Sequence, residues 1–134
     1  MVGFTSEHLT KNLEVIRGAL DYKPEDNPDD IIQKLELLSG VLGLASETKA
    51  HAESNYNQAF FVKSKSPELK GAYAAERNKA IDSECRIEFL VFKISKDYRD
   101  ALESQMDYYR SRLSFAAKEY YHEHKSSPTI RRNN

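Results

Sequence analysis

Glu119-Tyr120-Tyr121-His122 sets a carboxylate and an imidazole three residues apart, on one face of a helix, as di-iron bundles require. Such a centre also needs a second Glu-x-x-His and two further glutamates, and no second Glu-x-x-His occurs in the chain. Glu47 and His51 lie one turn apart, the ordinary spacing of a solvent-exposed pair, while His122 and His124 point to different faces. Cys85, the single thiol, adjoins Arg86 but belongs to an apolar stretch with no histidine near it in sequence, which reads as core packing rather than reactivity. There is no glycine-rich phosphate loop, no Gly-x-Ser-x-Gly, and no carboxylate pair in settings that would separate their pKa values. These residues predict no catalytic activity, no metal and no cofactor.

The residues that could do other work lie near the carboxyl end. Arg110, Lys118, Tyr121 and Lys125 fall near one helical face through Ser114, with Arg112 and Phe115 beside it. Cations interleaved with aromatic rings suit nucleic acid, the cations meeting phosphates and the rings meeting bases. A solvated flank of a coiled coil, with its tyrosines packed in the seam, would carry the same residues. Charge is distributed unevenly along the chain. Residues 1–62 hold five Lys/Arg against ten Asp/Glu, residues 63–134 fifteen against eleven, and residues 108–134 six against two.

The elements that must position these groups are helices. Five glycines and four prolines in 134 residues are too few for the turns of an all-β chain, and the length suits one domain. Thr5 or Ser6 can cap a first helix over about residues 6–22, with Leu9, Leu13, Ile16 and Leu20 on its apolar face. Asn27 caps, Pro28 opens and Asp29-Asp30 supply first-turn charge for a second helix over 28–63. Its seam steps through Ile31, Leu35, Leu38, Leu42, Ala45, Lys49, Ala52, Tyr56 and Ala59, with Leu37, Val41 and Leu44 widening it. Gly40 and Gly43 suggest close helix approach.

After a lysine-flanked tip at Ser66-Pro67, a third helix is expected over 67–124, ~80 Å long. Its seam reads Ile87, Val91, Ile94, Tyr98, Leu102, Met106, Tyr109, Leu113, Ala116 and Tyr120, with a stutter at 98–102–106. The fold class is therefore all-α: a long helical hairpin or coiled-coil bundle with a short N-terminal helix over 1–125, and a flexible polar tail over 126–134. A second helix folded back at Ser66 would cover the third only to about Tyr98 or Leu102. Leu102, Met106, Tyr109, Leu113, Ala116 and Tyr120 then form an open seam that predicts a homo-oligomer, most simply a dimer. A kink near Asp97–Asp100, folding the chain into a compact monomer, is the competing arrangement. One cysteine and no apolar run able to span a bilayer fit a cytoplasmic protein without a membrane partner.

Two stretches, Ala52-Glu53-Ser54-Asn55-Tyr56-Asn57-Gln58-Ala59 and Tyr109-Arg110-Ser111-Arg112-Leu113-Ser114 with Lys118-Glu119, carry a family likeness. Over its final two thirds the chain resembles small helical proteins of tailed-phage early gene clusters, often encoded beside single-strand annealing or other recombination genes. That resemblance implies an accessory role in phage DNA metabolism, or in countering host defence, within the host cytoplasm. It carries over no active-site residues. The expected function is non-enzymatic binding of DNA or a DNA-processing complex; the alternatives are an inhibitor or adaptor of a host enzyme, such as an anti-CRISPR-like factor, or a plain coiled-coil scaffold.

Overall fold

The computed structural model describes residues 6–69, 71 and 73–125, so the tail expected over 126–134 lies outside the described residues. The chain is all-α. Helix α1 spans Ser6–Asp21, α2 Pro28–Ser64, α3 Ala74–Glu84 and α4 Arg86–Lys125, with a 3-10 turn at Pro67–Leu69. None of the helices described is long and apolar enough to cross a membrane.

Helix α2 starts where its signals place it. The Asn27 side chain, on extended backbone, accepts from the Asp30 amide at 3.0 Å, and Pro28 occupies the first turn. Helices α2 and α4 run antiparallel for most of their lengths: Tyr56 packs against Phe89 and Phe92, and Arg99 donates to Ser46. Helix α1 is antiparallel to α2 and parallel to α4, because Asn12 meets Thr48 while the Leu20 carbonyl accepts from Gln105. The core lies where all three meet, at Leu13, Ile16, Ala19, Leu38, Val41, Ala45, Leu102 and Met106. The stutter on α4 falls at this junction, where α1 joins the α2–α4 pair.

Three expectations are corrected. First, a continuous helix over 67–124 does not form. Gly71 adopts a left-handed conformation (φ 86°), which a helix cannot absorb, and α3 starts only at Ala74. Cys85 (φ −101°, ψ 22°) then separates α3 from α4. Its amide still bonds Ile81 and its carbonyl still accepts from Phe89, so the chain kinks there without stopping. Helix α4 runs unbroken through Asp97–Asp100, so the chain does not fold back there.

Second, much of the expected open seam is covered within the chain. The 3-10 turn at Pro67–Leu69 and helix α3 come between α2 and α4, so α4 begins farther along the sequence than a plain hairpin would allow. Ser46 therefore faces Arg99, and the start of α2 reaches the carboxyl half of α4. Leu102 is 0 % exposed, Met106 and Ala116 are buried, and Tyr109 and Leu113 are half-buried, all without a second chain. The Tyr120 side chain lies outside the described residues.

Third, the buried row of α2 is Ile31, Lys34, Leu38, Val41, Ala45, Thr48 and Ala52, one position off the expected seam at every other step. Two of its members are polar and both are satisfied: Thr48 donates to the Leu44 carbonyl at 2.7 Å, and Lys34 is described below. Gly40 and Gly43 are exposed, and a Cβ at either would meet nothing, so close helix approach does not account for them.

Candidate nucleic-acid interface

The region that brings rings and cations together lies where the α1–α2 connection crosses α4. No glycine follows Asp21 at the end of α1 to turn the chain back over its last carbonyls. Lys34 does this instead. Its side chain is 0 % exposed, and its ammonium donates to the carbonyls of Ala19 (2.5 Å), Leu20 (3.1 Å) and Tyr22 (2.5 Å). The rings of Tyr22 and Tyr109 sit 5.8 and 5.6 Å from that nitrogen. Burial holds the Lys34 pKa below its ordinary value, opposed by the charge of Asp21. The positive end of Lys34 thus meets the negative end of the α1 dipole and fixes where the connection begins.

The far side of the connection is tied to α4. Arg112 forms a two-pronged ion pair with Asp26, with donor–acceptor distances of 2.5–3.1 Å. The Arg112 hydrogen bond holds the Asp26 carboxyl below its usual range, and Asp26 raises the guanidinium in return. The same guanidinium lies over the Phe115 ring at 5.0 Å. Between connection and helix is an open cleft of about 520 Å³ lined by Lys23, Pro24, Glu25 and Asp26 on one side, Tyr108, Tyr109 and Arg112 on the other, with Ile31. Tyr108 packs edge-on against Tyr109 (4.9 Å, 80°) and is 59 % exposed. Burial pushes the Tyr109 phenol up, with a smaller contribution from Tyr108.

From the cleft an exposed stripe continues along α4. Tyr108, Ser111, Phe115, Lys118 and His122 follow at steps of three and four, and all are exposed. The residues expected from sequence are distributed around it. Lys118 lies on the stripe, and Arg112 adjoins it but is held by Asp26. Arg110 sits on the next strip, exposed and 3.4 Å from Asp107, and Tyr121 is exposed with its ring edge-on to His122. The Lys125 side chain lies outside the described residues. Sequence reasoning missed Tyr108, whose place seven residues before Phe115 was available as a signal. It also missed Lys23 and Pro24, which only the fold brings to α4.

Other positions with reactive side chains have structural settings. Among the described residues no group of three or more His, Cys, Asp or Glu could hold a metal ion. Cys85 is buried, and its thiol is pushed up by burial and by Glu88, Asp82 and Glu84. At the hairpin end Lys63 bridges Glu68 (3.6 Å) and Glu84 (3.7 Å), Lys65 lies over Phe61, and Arg77 donates to the Ser64 carbonyl. Comparison with family models, curated proteins and solved structures gives no match to this chain.

Proposed function

We propose that this protein is a non-enzymatic helical accessory factor of phage DNA metabolism, acting in the host cytoplasm by binding DNA through the carboxyl half of α4. The observation that supports this reading is the exposed run of Tyr108, Phe115 and Lys118 along one side of that helix, flanked by Arg110 and Arg112. Rings left in water on a rigid helix beside cations can stack on bases while the cations meet phosphates. The pairing of Arg112 with Asp26 and of Arg110 with Asp107 keeps the field modest, which fits a factor that works beside a tighter-binding enzyme. The test is fluorescence anisotropy of labelled oligonucleotides with wild type and with Lys118→Glu. Wild-type binding that weakens with salt and falls with the substitution supports the reading; no binding at low salt removes it.

A second reading, an adaptor or inhibitor of a host enzyme, is favoured by a different surface. Helix α1 covers the α2–α4 pair along only part of its length. Near and beyond the amino end of α1, Ile87 (67 % exposed), Leu90 and Ile94 on α4 and Val62 on α2 remain in solvent. Under this reading Leu90→Asp abolishes capture of a host protein while DNA binding is untouched.

A further inference from the structure

Resting on the nucleic-acid reading above, we infer that the cleft between the α1–α2 connection and α4 receives an unpaired base, which makes single-stranded DNA the ligand. The cleft has the size of a small-molecule site, about 520 Å³ against the roughly 300–1,000 Å³ usual for such pockets. Its lining suits a base. Pro24 and the two tyrosine rings, over the buried Ile31, offer apolar and aromatic surface, and the Glu25 carboxylate can accept from a base ring N–H such as that of thymine. Lys23 on the connection and Lys118 farther along the stripe supply cations to either side, as a backbone passing over the cleft requires.

The cleft is also built in advance. Lys34 holds the carbonyls of Ala19, Leu20 and Tyr22, Asn27 caps α2, and Arg112 grips Asp26, so the connection is fixed at both ends before any ligand arrives. A duplex cannot use this arrangement, because its base faces are stacked inside and only edges reach the grooves. A single strand can turn one base into the cleft and lay its neighbours on Phe115.

The experiment titrates the full chain against three fluorescein-labelled probes of about a dozen nucleotides at low salt: an oligothymidylate, an abasic strand of equal length, and a duplex. The proteins are wild type, Tyr108→Ala, Tyr108→Phe and Lys118→Glu, each checked for helical circular dichroism. Wild type is expected to prefer the thymidylate strand to both other probes. Tyr108→Ala should lose about five- to a hundredfold on that strand alone, Tyr108→Phe should keep most of the affinity, and Lys118→Glu should weaken every probe. If Tyr108→Ala binds the thymidylate strand as tightly as wild type while Lys118→Glu still weakens binding, the cleft assignment is overturned and the nucleic-acid reading survives. Failure of wild type to bind any probe overturns both.

Discussion

Lys34→Met tests how the α1–α2 connection is held. Methionine keeps most of the side-chain volume, so packing against Tyr22 and Tyr109 is largely retained while the three hydrogen bonds are lost. The Leu20 carbonyl keeps a partner in Gln105, whereas the carbonyls of Ala19 and Tyr22 lose the donor that Lys34 supplies. An unsatisfied buried polar group costs about 1–3 kcal/mol, and removing a buried ammonium returns part of its desolvation. The net expectation is a loss of about 3 kcal/mol, on the order of 10 °C in melting temperature for a chain of this size. Thermal and urea melts followed by circular dichroism measure it. Because burial lowers the Lys34 pKa, the unfolded chain binds this proton more readily just below the ordinary lysine value, so this group's contribution rises with pH across that window. The gap between wild type and Lys34→Met should therefore widen, not close, as the solution is made alkaline. A variant that melts with wild type or above it would show that the ammonium costs as much as it contributes, and the reasoning would fail.

Other substitutions check separate parts of the structure. Leu102→Asp should unfold the chain by about 3 kcal/mol or more, because it buries a carboxylate among Leu13, Leu38 and Met106; a folded variant with altered oligomeric mass would restore an intermolecular seam. Gly40→Ala and Gly43→Ala should each stabilise α2 by about 1 kcal/mol, read as a rise in urea midpoint, since an added Cβ meets nothing. Asp26→Asn should lower the melting temperature at neutral pH. Since Arg112 holds the Asp26 pKa below its ordinary value, that contribution is present above the ordinary value and lost as pH falls through the lowered one, so the two proteins should converge in acid.

How much of this was legible in sequence depends on which residues carried the signal. Asn27-Pro28-Asp29-Asp30 announces α2 because capping is local chemistry, and the structure starts the helix there. Leu9, Leu13 and Ile16 likewise give the inward face of α1, and all three are buried. The α2 core row was misread because Lys34 and Thr48 occupy core positions: hydrophobicity favours Leu35 over Lys34, and the heptad steps that follow pass through Lys49 instead of Thr48. On α4 the same habit selects Ile87 and Ile94, which are exposed, over Ser95, which is buried and donates to the Val91 carbonyl. The missed break followed from Gly71, since one glycine with positive φ redirects a chain without a proline to mark it. The basic and aromatic residue types of the candidate site could be read from sequence. Their partition into tied, paired and exposed groups could not, because Asp26, Lys23 and Pro24 reach α4 only through the tertiary fold.

The most direct test of the account is the salt dependence of single-strand binding by wild type and Lys118→Ala, measured by anisotropy across a series of salt concentrations. Wild-type affinity should fall linearly on logarithmic axes, and the substitution should reduce the slope by about 0.7, the value of one phosphate contact on a single strand. Equal slopes for the two proteins, or binding indifferent to salt, would contradict it.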